Sequence, residues 1–489
     1  MRTRTVDVAI IGGGTAGMGA YREVRKQTDR IALIEGGPFG TTCARVGCMP
    51  SKLLIAPAEA HHRLEALPQF GIDVEPARID GRRIMQRVRA ERDRFVGFVL
   101  DSVGGFDAEH IVRAHARFAN PHTLVLNPPQ PEFAQALDYD AIRAERIVIA
   151  CGSRPHIPDM LAAVGDRLII NDDVFQWEDL PESVAVFGTG VIGLELGQAL
   201  HRLGVLVRLF GRGGRLGGIT DPQVRDYAGA LFAAELPYAR DARSVRVERQ
   251  PEGVRVHWQE GEGPAQQEEF EWVLAATGRQ SNVDHLALEH SGLELDAQGL
   301  PLFDPQSMRC GQSHIFIAGD ANGVLPLLHE ASDEGRLAGE NAAHHPESYR
   351  RVRRTPLAVV FTDPNIAFVG QNHAQLQAAG VDFATGSVSF EDQGRSRVML
   401  VNKGLLHVYG EQGSGRLLGA EMIGPQHEHL AHLLAWAVQA RLTVGEVLEM
   451  PFYHPVIEEG LRTALRHLHE ALGMGPQPPL RCIDCGPGG

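Results

Sequence analysis

A chain of 489 residues is too long for one hydrophobic core and suggests three domain-sized units. Its 61 acidic residues against 47 basic ones give a net charge of −14, which argues against a surface made to grip nucleic acid or an anionic membrane. No long uncharged apolar stretch occurs, and the first residues enter a strand instead of a signal-peptide core, so a cytoplasmic protein is expected. Six cysteines in so long a chain are not a disulfide framework and suit a reducing compartment with a working redox pair.

The apolar, β-branched run Val6–Ile11 predicts a buried parallel strand, and Gly12, Gly14 and Gly17 then open a helix. These glycines permit a tight turn, approach of backbone to a pyrophosphate and close helix–strand contact, with the helix N-terminus facing the phosphates. Glu35 follows the next strand, Ile31–Ile34, at the spacing that meets a ribose 2′-OH. A few residues on, Cys43 and Cys48 lie in Gly-Thr-Thr-Cys-Ala-Arg-Val-Gly-Cys-Met-Pro-Ser-Lys. A thiol pair beside a dinucleotide is the arrangement that passes two electrons between a cofactor ring and a disulfide.

The fingerprint recurs in mid-chain, where Val184–Phe187 leads into Gly188, Gly190 and Gly193, followed by Glu195. Two such units imply two cofactors, or one cofactor and a nucleotide-shaped substrate. The strand Val205–Phe210 ends on Gly211 where an NAD-binding acid is expected, and Arg212 and Arg215 follow, able to neutralise a 2′-phosphate; this leans toward NADPH. The basic run Arg350–Arg354 reads as a solvated linker. His427, His429 and His432 form a histidine cluster, but His427 and His429 diverge on a helix, so no metal site is expected.

With these motifs, and with Ala-Cys-Gly-Ser-Arg-Pro at 150–155, Ala-Thr-Gly-Arg at 276–279, Ile-Phe-Ile-Ala-Gly-Asp at 315–320, Val-Phe-Thr-Asp-Pro at 360–364 and His-Pro-Val-Ile-Glu-Glu at 454–459, the chain resembles the FAD-dependent pyridine nucleotide-disulfide oxidoreductases, which include dihydrolipoyl dehydrogenase, glutathione reductase and mercuric reductase. The resemblance covers almost the whole length. It implies an α/β fold with two Rossmann-like domains, for FAD and NAD(P), and a C-terminal α+β dimerisation domain. The expected limits are 1–150 and 281–348 for FAD binding, 151–280 for NAD(P), 355–472 for the interface and 473–489 for a tail.

The same resemblance implies that Cys43 and Cys48 form a disulfide over the flavin, with Cys48 facing the ring and Cys43 exchanging with the external substrate. Exchange needs a thiolate, so His454 matches the base and Glu459 the carboxylate that orients it, both from the other subunit of a homodimer. Lys52 is implied near the flavin, paired with Glu195, while Thr42, Ala116, Gly152, Arg279 and Asp320 are implied around FAD and Gly278 around the nicotinamide nucleotide. Thr41, Arg45, Cys151 and Phe452 depart from the family pattern at the substrate channel or the cofactor turns.

The expected activity is a dihydrolipoyl dehydrogenase-like transfer of electrons between NAD(P)H, FAD, the cysteine pair and an external dithiol or disulfide. The alternatives are a mercuric or glutathione/protein-disulfide reductase, or a nicotinamide-sensing flavoprotein with little turnover. Cys482 and Cys485 in the tail, on an arm from Gly473 that reaches about 25 to 30 Å when extended, admit three readings: an auxiliary redox pair, a metal-capturing pair, or a tail without catalytic role.

Overall fold

Residues 2–475 are described by a computed structural model, so Cys482 and Cys485 lie outside the described residues. Val8, Ala9 and Ile10 are fully buried because the strand Thr3–Ile11 takes neighbours on both edges, parallel to Ile31–Ile34 and to Ala141–Ile149. Ile31–Ile34 is extended by Ile111–Val112, and Ala141–Ile149 by Ile315–Ile317, all parallel. The antiparallel hairpin His115–Asn120 and Thr123–Asn127 joins the first half of Ala141–Ile149. Ile11 lies opposite both Ile34 and Ile149, and Ile149 opposite Ile317. Four strands therefore end level, and Gly12, Glu35, Ala150 and Ala318 leave along one rim, where open α/β sheets bind their ligands.

Helix Thr15–Val24 follows the first strand and meets helix Leu328–His344. Their approach depends on two glycines: a Cβ on Gly335 would lie 2.2 Å from the Ala16 carbonyl oxygen, and one on Gly339 would lie 2.5 Å from that of Ala20. These elements belong to a compact unit formed by Met1–Pro50, Arg87–His156 and Gly278–Arg353.

The second compact unit comprises Ser51–Gln86, Ile157–Thr277 and Arg354–Gly489. Its parallel sheet runs Tyr238–Ala239, Leu206–Phe210, Ser183–Phe187, Trp272–Ala275 and Leu168–Ile169, and Phe187 lies opposite both Phe210 and Ala275, so the strands again end level. Residues 51–86 join this unit because the helical segment beyond Ser51 reaches the second fingerprint: His61 Nδ1 lies 2.9 Å from the Arg202 carbonyl. The C-terminal part is a five-stranded antiparallel sheet in the order Leu357–Val360, Asn365–Gly370, Leu417–Gly424, Leu405–Glu411, Phe383–Ser389. Helices His427–Gln439 and Glu458–Ala471 cover it through Leu430, Leu434, Leu461 and Leu465.

The histidine cluster falls on helix His427–Gln439, where His427 is fully buried while His429 and His432 are exposed. His427 thus points away from the other two. His427 packs against Phe390 at 4.7 Å, and burial pushes its pKa down from 6.5 to about 3. Above pH 6.5 the ring is neutral whether the chain is folded or not, and it adds no pH dependence. Below that, the unfolded chain takes a proton that the folded chain refuses until about pH 3, so stability falls with falling pH by up to about 1.4 kcal/mol per unit. His427→Leu, of similar volume, is expected to lose about 2 kcal/mol less than the parent between pH 7 and pH 5. Urea midpoints at the two pH values measure this; equal losses would show that His427 is not the acid-sensitive group.

Candidate active site

In the first unit, the turn after Thr3–Ile11 closes so tightly that a Cβ on Gly17 would lie 1.8 Å from the Gly12 carbonyl oxygen, and one on Gly12 would lie 2.2 Å from that of Ala150. A Cβ on Gly14 would meet nothing within 4 Å. Helix Thr15–Val24 has no side-chain cap at Gly14 and no acid in its first turn, so its N-terminal N–H groups face open space. Glu35 stands beside this opening, accepting the N–H groups of Gly13 at 2.7 Å and Gly37 at 2.6 Å. The His115 ring sits 2.3 Å from the place of a Gly36 Cβ, which brings the strand of buried Ala116 alongside Glu35. An open helix N-terminus with an acid beside it fits a dinucleotide's pyrophosphate and ribose, as FAD requires.

On the same rim, the short antiparallel pair Ser153–Pro155 and Arg279–Ser281 brings the expected Gly152, Arg279 and Asp320 together around Ser153. Ser153 Oγ donates to Asp320 at 2.7 Å, and Arg279 donates to both Oγ and the carbonyl of Ser153 at 2.7 Å. Gly152 and Gly278 adopt φ of +69° and +110°, and a Cβ on either would meet nothing within 4 Å. The Gly319–Asp320 turn is anchored from beneath by buried Glu334, which accepts from the Gly319 N–H and Asn322 Nδ2 at 2.7 Å.

The redox candidates lie on helix Thr42–Val46, which carries half-buried Cys43, and at Cys48, which is exposed and opens helix Cys48–Ala66. Gly47 folds back, so that a Cβ on it would lie 3.3 Å from the Cys43 Cα and 3.0 Å from the Thr42 carbonyl oxygen. Thr41 holds φ 58°, ψ 151°, a conformation suited to glycine that costs a β-branched residue roughly 1–3 kcal/mol. In return, its hydroxyl accepts the Ala44 N–H at 3.3 Å and caps the helix bearing Cys43. The stem of Arg45 covers Gly40, 2.9 Å from the place of a Cβ there. Burial pushes the thiols of Cys151 and Cys310 up to about 12, so neither is a thiolate at neutral pH.

In the second unit, the second fingerprint repeats the first almost atom for atom. A Cβ on Gly193 would lie 1.9 Å from the Gly188 carbonyl oxygen, one on Gly188 would lie 2.2 Å from that of Ala276, and one on Gly190 would meet nothing within 4 Å. Beyond Leu206–Phe210 the loop folds over this opening, with Thr189 Oγ donating to the Arg215 carbonyl at 2.6 Å and the Gly217 N–H to the Thr189 carbonyl at 2.7 Å. Arg212 and Arg215 are exposed on that loop, and among the described residues neither has a carboxylate partner, whereas Arg202, Arg208, Arg243 and Arg249 in the same unit do.

Glu195 and Lys52 make more than a surface ion pair. Glu195 is buried and receives Lys52 Nζ at 2.9 and 2.8 Å, Ser51 Oγ at 3.2 Å and the Phe361 N–H at 2.9 Å. Lys52 Nζ also lies 4.5 Å over the Phe361 ring. At the C-terminal end, His454 Nδ1 lies 3.0 and 3.1 Å from the two oxygens of Glu459. The imidazole side chain is 55% exposed and the carboxylate 3%. Glu459 also accepts the Val456 N–H at 3.1 Å and a contact from Arg462 at 3.3 Å. With Nδ1 fixed, Nε2 is the nitrogen left to exchange a proton. Sequence reasoning missed Ser153, Ser51, Phe361 and Arg462; the first three lie within the quoted motifs, and Arg462 carries only its position one turn after Glu459.

Residues 6–335 match the family described as "Pyridine nucleotide-disulphide oxidoreductase", and residues 357–465 match its "dimerisation domain". The chain is 30% identical over 465 residues to a mercuric reductase from Shigella flexneri, covering 94% of this chain and 80% of that one. It is 30% identical over 469 residues to a mycothione reductase from Mycobacterium tuberculosis, covering 94% and 99%. A dihydrolipoyl dehydrogenase from Geobacillus stearothermophilus is 28% identical over 456 residues, covering 93% and 94%. Among solved structures, LpdA from Mycobacterium tuberculosis superposes with a TM-score of 0.78 at 24% identity over 95% of this chain and 99% of that one. The HOCl-induced flavoprotein disulfide reductase RclA from Escherichia coli gives 0.73 at 21% identity over 96% and 100%.

Proposed function

Because the chain belongs to the pyridine nucleotide-disulphide oxidoreductases, and is a flavoprotein disulfide oxidoreductase of the lipoamide dehydrogenase, mercuric and mycothione reductase type, we propose that it exchanges electrons with a dihydrolipoyl-type dithiol or disulfide through Cys43 and Cys48 in a homodimer. The observation that carries this reading is the His454–Glu459 pair, an exposed imidazole fixed at Nδ1 by a buried carboxylate. When bound, FAD supplies two-electron exchange between NAD(P)H and the cysteine pair.

In the direction of disulfide reduction, reduced Cys43 attacks as a thiolate: its sulfur bonds to one sulfur of the external disulfide and the S–S bond breaks. The departing thiolate takes a proton held at Nε2 of His454 of the partner subunit. Cys48 then attacks the Cys43 sulfur, re-forming the internal disulfide and releasing the second thiolate. Glu459 keeps the imidazole in one tautomer and stabilises its cation. Lys52, held by Glu195, supplies positive charge for a reduced flavin. The match of residues 357–465 to the dimerisation domain supports the homodimer, as do Trp436 and Tyr453, 66% and 79% exposed in the single chain. The dihydrolipoyl class is supported by the likeness to dihydrolipoyl dehydrogenase. NADPH is the proposed nucleotide, because among the described residues Arg212 and Arg215 have no carboxylate partner where no ribose-binding acid follows Phe210.

His454→Gln is expected to lower lipoamide turnover by about 10²- to 10⁴-fold while reduction of ferricyanide by NADPH, which needs no thiol exchange, stays within about twofold. Full lipoamide turnover in that variant would remove His454 from the exchange. The double change Arg212→Ala, Arg215→Ala should raise KM for NADPH at least tenfold and leave KM for NADH unchanged. An equal effect on both nucleotides would show that the loop reads no 2′-phosphate.

A further inference from the structure

The loop that carries Arg212 and Arg215 has little stiffness of its own. Between Gly211 and Thr220 it holds Gly213, Gly214, Gly217 and Gly218 at φ of +63°, +67°, +59° and +93°. Glycine gives up more backbone freedom on ordering than any other residue, so the place of this loop is set by the points at which it is fastened. At one end Asp241 accepts the Gly213 N–H at 2.8 Å and the Arg240 carbonyl accepts the Gly214 N–H at 3.2 Å; at the other, Glu421 accepts the Thr220 N–H at 2.6 Å. Between these ends, hydrogen bonds join the loop to the second fingerprint at Thr189, which lies between Gly188 and Gly190 and is 7% exposed. Thr189 Oγ donates to the Arg215 carbonyl at 2.6 Å, and the Thr189 carbonyl accepts the Gly217 N–H at 2.7 Å. Among the described residues, the Arg215 carbonyl accepts no other hydrogen bond.

We propose that Thr189 is a positioning residue that sets the preference for a 2′-phosphorylated nicotinamide dinucleotide, by fixing the Arg212–Arg215 loop at a set distance from the glycine turn of the second fingerprint. The proposal rests on the reading that this loop takes the 2′-phosphate of NADPH. In such a nucleotide the pyrophosphate hangs from the 5′ carbon and the extra phosphate from the 2′ carbon of one ribose, so the groups that meet them must keep one separation. The N-terminus of helix Val191–Arg202, which has no side-chain cap at Gly190, suits the first charge, and Arg212 and Arg215 suit the second.

Thr189 belongs to both halves of this arrangement. It is a residue of the turn, and through Oγ it holds the backbone of Arg215. A loop released at that point loses the arginine contacts while the pyrophosphate contact stays, so the loss falls on the phosphorylated nucleotide and spares NAD(H). The neighbouring cations Arg240 and Arg243 are engaged by Asp226 and Asp241, which leaves the 2′-phosphate to Arg212 and Arg215.

The test is calorimetric titration of the oxidised, FAD-loaded protein with NADP⁺ and, separately, with NAD⁺, which involves no hydride transfer. Thr189→Val, which exchanges the hydroxyl for a methyl group of similar size, is expected to raise the Kd for NADP⁺ about five- to tenfold and to leave that for NAD⁺ within about twofold. Thr189→Ser, which keeps the hydroxyl, should hold both values within about twofold of the parent. An unchanged Kd for NADP⁺ in the valine variant, an equal rise for both nucleotides, or a serine variant as impaired as the valine one would overturn the proposal. Should the valine variant not fold, Thr189→Ala is measured in its place against the same limits. The double change Arg212→Ala, Arg215→Ala separates the two readings. If it loses NADP⁺ affinity while Thr189→Val keeps it, the positioning role falls and the 2′-phosphate reading stands; if it binds NADP⁺ as the parent does, the loop reads no 2′-phosphate and the proposal falls with that reading.

Discussion

Two places where backbone meets backbone set the frame for everything else. At Gly12/Gly17 and again at Gly188/Gly193, a carbonyl oxygen occupies the position a Cβ would need, so each helix starts within van der Waals contact of the strand that precedes it. That contact aims an uncapped helix N-terminus, with its partial positive charge, at open space next to Gly14 and next to Gly190. Because neighbouring strands end level, the same rim collects Glu35, Gly152, Arg279 and Asp320 in one unit, and the Arg212–Arg215 loop in the other.

Buried carboxylates then hold the reactive groups in place. Glu195, Glu334 and Glu459 are each less than 5% exposed, and each is surrounded by donors: Lys52 and Ser51 on the first, the Gly319 turn on the second, and His454, Val456 and Arg462 on the third. A fourth, Glu421, collects the N–H groups of Thr220, Asp221 and His373 and the hydroxyl of Tyr409. Its neighbour Asp221, bonded to His407, the Val224 N–H and Tyr409, is held down to about 2 despite burial. An ionised group away from water is costly unless its lone pairs are filled, so each such residue fixes several donors at once and tolerates little displacement. Lys52, the Gly319–Asp320 turn and His454 are in this sense each held by a buried anion.

Much of this was legible in the sequence because the glycines, the cysteine pair and the His-Pro-Glu segment are local patterns whose spacing carries their geometry. Gly14 and Gly190 announce an open helix start wherever a strand precedes them, and Glu459 lies close enough to His454 to be read as its partner. What could not be read were contacts made across the chain. Ser153 joins Arg279 and Asp320, residues 126 and 167 positions away, and Phe361 donates to Glu195 from 166 positions away. The conformation of Thr41 was also hidden, since its departure from glycine was visible but the positive φ that makes the departure costly was not. Residues 51–86 fall in the second compact unit, where His61 lies against Arg202 and Lys52 against Glu195, contacts across the chain that no local pattern shows.

The central claim is that Cys43 and Cys48 stand between the bound flavin and an external disulfide. Anaerobic titration of the FAD-loaded protein with NADPH, followed at long wavelength where a thiolate beside oxidised flavin absorbs, tests it most directly. A band that grows with the first equivalent and is discharged by lipoamide is the predicted result. Flavin bleaching without that band, in protein whose cysteines are intact, would contradict the account and favour a flavoprotein that senses nicotinamide without thiol exchange.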